Sequence, residues 1–338
     1  MSDESASNTN ALPIGEAAAL LRAARRILLT THLEPDPDGI GCEMALHTVL
    51  CGGDRTCHVL NPEPTPPTCA FLDPEACIRV HEPAAKTPVA DLIVVLDTCT
   101  WSQLGTVAQV VRDRGDTPCL VIDHHATSDA LGDVVLASPE APCTGWLVLQ
   151  VLDALDPAAI TPQVAEHLFA ALAFDTGWLR YNNAREPAYR MGARLVGLGA
   201  VPHHVFLAME ERRPAKIIRL TGLVLAGLDL ACDGVLGVLT ITREMLEATG
   251  TTPADVTNLV NQCYGVTGVH SALLFTEMPE GGVKVSLRSR GVVDVSALAS
   301  RFGGGGHARA AGARIDLPLD QARDRVVTAF CEAIRAAS

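Results

Sequence analysis

VIDHHATSD, residues 121–129, places Asp123, His124 and His125 directly behind an apolar run. Inside a strand, neighbouring side chains point to opposite faces, so two adjacent histidines cannot both serve one ligand there. At a strand end the alternation breaks and both rings can turn toward one pocket. The stretch therefore reads as the carboxyl end of a buried strand that opens on a site.

Working outward, residues 27–31, 57–60, 92–96 and 120–122 are short and apolar, as buried parallel strands are. Helix-like patterns cover residues 14–25, 40–51, 144–155 and 162–173, while PEPTPP at 62–67 marks a loop. This alternation predicts an α/β domain with a parallel sheet and helices on both faces. From about residue 186 the pattern turns helical through MEERRPAK, the approach to a linker. Beyond it GVLGVLTI, SALLFTE and VKVSLRS read as strands and residues 243–248, 254–263 and 319–336 as helices, a smaller second α/β domain. The expected division is 13–190, a helical linker at 191–216, and 217–336.

Length and composition agree with two soluble domains: 338 residues, 48% of them apolar. The greasiest stretch, residues 220–241, carries Asp229, Asp233 and several glycines, so a buried helix and strand are expected there and no membrane span. The opening MSDESASNTN lacks a signal-peptide pattern and reads as a frayed tail. Net charge is −13 and lysine occurs only at Lys86, Lys216 and Lys284, which argues against a grip on long nucleic acid. A small anionic ligand remains open if local arginines or metal ions supply positive charge. The cysteines number eleven, with no C-x-x-C, and are expected to be reduced thiols in a cytosol. Cys99 stands out because it lies two residues from Asp97.

Three further stretches deliver chemistry in the same way. THLEPDPDGIG supplies His32, Asp36 and Asp38; VVLDTCT supplies Asp97; LAFDTGW supplies Asp175 after a helical stretch. In open α/β sheets the ligand crevice lies outside the carboxyl ends of the strands, where these groups can converge. Bringing about four carboxylates together is repulsive unless cations balance them. Two divalent ions would do so, with mixed carboxylate and imidazole donors suiting Mn²⁺ before Mg²⁺, Co²⁺ or Zn²⁺. A pair of such ions about 3.5–4 Å apart can clamp a phosphoryl group for in-line attack. Gly39 and Gly41 are expected to let the chain turn into the next helix, whose N-terminus would face a phosphate.

An Asp after a strand is most often a turn or cap residue, and His-His alone is weak. His203-His204, in AVPHHVF without acidic neighbours in sequence, is read as structural. H-x-x-x-D-x-D is stronger, because Pro35 and Pro37 are expected to hold it out of helix. In the second domain, VSLRSRG and RFGGGGHARAAG offer Arg288 for bidentate phosphate contact and His307 as a donor beside a glycine run that allows close backbone approach. No lysine completes a Walker-type loop.

Taken together, the motifs resemble the DHH phosphoesterases with a DHH-associated C-terminal domain, in the branch of nanoRNases (oligoribonucleases) and 3′-phosphoadenosine-5′-phosphate (pAp) phosphatases. The resemblance runs from about residue 14 to 336 and is carried, in family order, by HLEPDPDGIG, VVLDTCT, VIDHHAT, AFDTGWLRY, VSLRSRG and GGGGHARAAG. It implies one metal held by His32, Asp36 and Asp97 and a second by Asp38, Asp97, His124 and Asp175, with Asp97 bridging. It implies that His125 meets the phosphate or protonates the leaving oxygen, and that Asp123 orients a histidine from behind. Arg288, Ser289, Gly305, Gly306 and His307 are implied to bind the nucleotide, closing the cleft over it. Cys42, Gly39, Gln103 and Trp146 depart from the family's usual Ser, Ala, Arg and acidic residue, bearing on substrate preference and not on any implied metal ligand.

The resemblance thus implies a cytosolic, two-metal hydrolase of short 5′-phosphorylated oligonucleotides and pAp, with a cyclic dinucleotide such as cyclic di-AMP as the close alternative. A homodimer through the first domain fits the same resemblance; long duplex nucleic acid and membranes are not expected partners. A RecJ-type exonuclease should show a basic groove and stacking aromatics, whereas aromatics here are 4%. Family II pyrophosphatases lack the GGGGH-type second domain. A non-catalytic nucleotide sensor would be expected to have lost a ligand, and all six are present.

Overall fold

The computed structural model describes residues 12–212, 214–256 and 259–337, so the expected N-terminal tail lies outside the described residues. The chain divides into two compact units, Met1–Arg212 and Arg213–Ser338.

In the first unit six strands form one sheet: β1 (Arg26–Thr30), β2 (Thr56–Asn61), β3 (Ile78–Val80), β4 (Leu92–Leu96), β5 (Cys119–Asp123) and β6 (Val134–Ala137). Their order is β3-β2-β1-β4-β5-β6 and every pairing is parallel. The chain steps outward from β1 to β3, then restarts beside β1 with β4. The order reverses between β1 and β4, and such a reversal leaves a crevice at the carboxyl ends of those strands.

Strand alternation sorts the core into two layers. Leu92, Val94 and Leu96 of β4 join Ile27, Leu29, Leu120 and Ile122 on one face. That face is covered by α1 (Ile14–Ala23), α2 (Pro37–Leu50), α4 (Thr144–Leu155) and α5 (Pro162–Asp175). Ile93 and Val95 face the other side, packing with Leu104, Val107 and Val111 from a 3₁₀ turn and the short α3 (Ala108–Arg112). Helices therefore cover both faces, as the alternating pattern implies. The stretch expected as a linker is helical, α6 (Glu186–Gly197) and α7 (Pro202–Glu210), and Met191, Leu195, Ala200 and Val205 lie buried in the first unit's core.

The entrance to α2 differs from expectation. Pro37 does not hold the motif out of helix but occupies the first helical turn, where its missing N–H costs nothing. Asp36 caps the helix, accepting the N–H groups of Asp38 at 2.9 Å and Gly39 at 3.3 Å. Those donors are thus committed to Asp36 and not left for a phosphate. Gly39 and Gly41 sit inside the helix and serve close packing: a Cβ on Gly39 would fall 2.3 Å from Thr31 Oγ1.

The second unit holds a mixed sheet of β7 (Asp229–Ala231), β8 (Leu236–Ile241), β9 (Ser271–Glu277), β10 (Val283–Ser289), β11 (Gly305–His307) and β12 (Ala310–Ile315), ordered β11-β12-β10-β9-β8-β7. Only β8 and β9 pair parallel. Helices α8 (Ala215–Ala226), α9 (Arg243–Thr249), α10 (Val295–Ser300) and α11 (Leu319–Ala337) accompany it. The helix expected over 254–263 is two 3₁₀ turns, Pro253–Asp255 and Leu259–Gly265, the first capped by a Thr252–Asp255 box. Cys232 is disulfide-bonded to Cys331, their Cα atoms 5.4 Å apart, which corrects the expectation that all the thiols are reduced. Their separation of 99 residues hides a proximity created when α11 packs back on the sheet. The other nine cysteines are free. Among the described residues no helix is long and apolar enough to cross a membrane.

Candidate metal centre

The carboxyl ends of β1, β4 and β5 deliver the expected groups together. His32 follows β1, Asp97 follows β4, and His124 and His125 follow β5, whose last residue is Asp123. Asp36 caps α2, Asp38 lies in its first turn, and Asp175 ends α5. Asp97 takes φ 63°, a left-handed value uncommon outside glycine, at the point where the chain leaves the strand.

Among the described residues three groups each bring their potential donor atoms within 4.8 Å of one another: His32 with Asp36 and Asp97, Asp38 with His124 and Asp175, and Asp97 with His124 and His125. Asp97 divides its two oxygens between them. Its Oδ2 lies 3.3 Å from His32 Nε2, and its Oδ1 lies 3.7 Å from His124 Nε2. His32 Nε2 also stands 3.8 Å from Asp36 Oδ2, while His124 Nε2 is 2.9 Å from Asp175 Oδ2 and 3.9 Å from Asp38 Oδ2.

His125 behaves differently from its neighbour. Its Nδ1 donates to Asp123 Oδ1 at 2.7 Å, since an ionised carboxylate can only accept. The backbone N–H of His125 meets the same oxygen at 3.1 Å, and the side chain is 53% exposed. The His124 ring is sunk in the acidic cluster, whereas His125 sits at its rim, its Nδ1 3.8 Å from Asp97 Oδ1.

Electrostatics give the fit test for a cation. Burial, and then the charges of Asp38, Asp36 and Asp175, hold the Asp97 carboxyl well above the usual range. Burial, followed by Asp175, pushes Asp38 up to about 7 even though His124 opposes it. Asp36 is raised by burial against the pull of His32. Burial alone would depress His124, but Asp175 and Asp38 outweigh it and raise that imidazole to about 9. Carboxylates so crowded that they retain protons are relieved when divalent cations take the protons' place, and the mixed O and N donor set suits such ions.

Sequence reading missed the residues that hold this cluster in place. Thr144 Oγ1 donates to Asp97 Oδ1 at 2.7 Å, and the N–H groups of Thr144 and Gly145 donate to Asp38 at 2.7 and 2.9 Å. The N-terminus of α4 is thus spent on a buried carboxylate, where its free N–H groups and dipole favour negative charge. The available signal was PCTGW before an apolar run, a helix start whose donors need an acceptor. Cys42 Sγ lies 3.7 Å from Asp38 Oδ1. Cys99 is buried, and burial followed by Asp123 keeps its thiol protonated, so it is no thiolate nucleophile. Away from the cluster, His204 pairs with Glu166 at 3.5 Å and is 67% exposed.

In the second unit the register sets His307 opposite Ala310 and Ala310 opposite Arg288, one row across β11, β12 and β10. Ser289 is buried, its Oγ accepting N–H groups of Gly291 at 3.1 Å and Val293 at 3.2 Å, so it shapes the turn after β10. The glycine run is partly a packing device: a Cβ on Gly306 would fall 2.6 Å from Ala310 O, whereas one on Gly305 would meet open space.

Residues 26–172 match the family model described as DHH family, N-terminal domain, and residues 238–336 match the DHHA1 domain. The chain is 31% identical over 308 residues to the bifunctional oligoribonuclease and PAP phosphatase NrnA of Thermus thermophilus, covering 90% of this chain and 89% of that protein. It is 24% identical to the protein of the same name from Bacillus subtilis, over 86% of this chain and 89% of that one. Among solved structures, an exopolyphosphatase-related protein from Bacteroides fragilis superposes with TM-score 0.86 at 22% identity, covering 96% of this chain and 95% of that one, a likeness of fold.

Proposed function

The chain belongs to the DHH family of phosphoesterases and carries a DHHA1 domain, and from that premise we propose that it hydrolyses short 5′-phosphorylated oligonucleotides and pAp with two divalent ions, Mn²⁺ first among them. The observation that carries the reading is Asp97, whose two oxygens face two separate donor sets, His32 with Asp36 and His124 with Asp38 and Asp175. Those sets would hold the two ions, with Asp97 common to both. When bound, such ions neutralise phosphoryl charge and make water a nucleophile near neutral pH.

The remaining steps fall to the protein's own groups. Asp123 fixes the His125 tautomer through Nδ1, which leaves Nε2 to face a phosphate oxygen or the leaving oxygen. The contact with Asp123 also raises the affinity of His125 for a proton, which suits it to donate one as the ester bond breaks. Arg288, Ser289, Gly305, Gly306 and His307 are assigned to the nucleotide; the row shared by Arg288 and His307 supports this for those two. The net charge of −13 favours small substrates over long strands. We further infer a cytosolic protein that pairs through its first unit, on the support of the family resemblance.

The test is hydrolysis of 5′-pApA by metal-stripped protein, with and without Mn²⁺, alongside pAp, cyclic di-AMP and pyrophosphate. Mn²⁺-dependent release of AMP from pApA is the expected result. Preferential turnover of cyclic di-AMP or pyrophosphate would replace the substrate assignment, and no turnover of any would reduce the protein to a nucleotide-binding module.

A further inference from the structure

Glu43 is a glutamate with no exposed surface, on α2 five residues beyond Asp38, and the chemistry described so far does not use it. Its Oε2 accepts from Asn61 Nδ2 at 2.9 Å, while its Oε1 is buried without a partner. Asn61, at the end of β2, is equally buried, and its Oδ1 accepts the backbone N–H of Thr31 at 3.3 Å. Thr31 precedes His32 in the chain and donates through Oγ1 to Leu96 O at 2.9 Å, the carbonyl immediately before Asp97. One line of side chains thus joins α2, β2, the end of β1 and the end of β4. Among these, α2, β1 and β4 are the elements that present Asp36, Asp38, His32 and Asp97.

A buried carboxyl with an orphaned oxygen is a poor way to pack a helix, because an apolar side chain of equal size costs less to bury. What it adds is direction: it holds Asn61, and Asn61 holds the backbone on which His32 is mounted. We propose that Glu43 and Asn61 are positioning residues for the His32, Asp36 and Asp97 set, acting through Thr31. The inference rests on the metal reading above. Burial pushes the Glu43 carboxyl up to about 8, so it is neutral at physiological pH and Gln can take its place.

The experiment is calorimetric Mn²⁺ titration of the full chain, wild type against Glu43→Met, Asn61→Leu and Glu43→Gln, with thermal melts of each. Glu43→Met and Asn61→Leu should weaken Mn²⁺ binding about 10-fold or more, in the range seen when supports behind ligands are removed. The Glu43→Met melt should stay at or above wild type, and Glu43→Gln should restore wild-type affinity. A core variant destabilised without touching the relay, Leu46→Ala, should keep its Mn²⁺ affinity. If Asn61→Leu fails to fold, the contrast between Glu43→Met and Glu43→Gln decides alone. Wild-type affinity in folded Glu43→Met, or an equal loss in Leu46→Ala, overturns the positioning role while leaving the metal reading intact. Absence of Mn²⁺ binding by the wild type overturns both.

Discussion

Thr144 Oγ1 donates to Asp97 Oδ1 at 2.7 Å, the same oxygen that lies 3.7 Å from His124 Nε2. A hydroxyl on that oxygen fixes the carboxylate plane, so that Oδ2 can only turn toward His32. Thr144→Val keeps the shape and removes the donor. Turnover of pApA should fall about 10- to 100-fold with the fold unchanged, and Thr144→Ser should recover most of it. Full activity in Thr144→Val would show that Asp97 does not depend on the Thr144 hydroxyl for its orientation.

Asp97→Asn tests the shared carboxylate itself. The variant should lose more than about 100-fold in turnover, beyond what supporting residues cost. Mn²⁺ titration should drop from two ions to at most one. Near wild-type turnover with two ions bound would end the role of Asp97 as the carboxylate common to both sets, and near wild-type turnover with no more than one ion bound would end the two-metal reading.

Arg288→Ala addresses the second unit. Losing a charge-assisted contact to phosphate should raise KM roughly 10-fold or more and leave kcat nearly constant, because the contact exists in ground and transition states alike. An unchanged KM would remove Arg288 from the substrate site.

His167 sets an acid limit on stability. Burial lowers its pKa to about 4, and its Nδ1 has no partner. Between that value and the ordinary 6.5 of the unfolded chain, only the unfolded state binds the proton. Stability is therefore fully present above 6.5 and falls as pH drops toward 4, by on the order of 3 kcal/mol. His167→Gln, followed by denaturant melts from pH 7 to 4.5, should flatten that slope. An unaltered slope would assign the loss to other groups.

The acidic and imidazole groups of the candidate metal centre were legible because His32, Asp97, His124 and Asp175 stand close behind apolar runs and Asp36 and Asp38 complete an H-x-x-x-D-x-D pattern. The strand cores were legible for the same reason: 92–96 and 120–122 are continuous apolar runs. Edge strands β3 and β6 were not, since Ile78–Val80 and Val134–Ala137 are short and half-exposed and carry little pattern. Pro37 misled in the opposite direction: proline breaks a helix interior but starts a helix well, and position alone separates the two.

Periodicity and the order of motifs determined the parallel sheet, the two-part chain and which acidic and imidazole groups gather at one sheet edge, because these depend on local alternation and on side-chain chemistry. Which oxygen of Asp97 meets which histidine, that α4 spends its N-terminus on Asp38, that Glu43 reaches Thr31 through Asn61, and that Cys232 meets Cys331 were decided only in three dimensions. Each of these joins segments far apart in the chain, and a buried donor finds its acceptor only once the packing of strands and helices has made them neighbours.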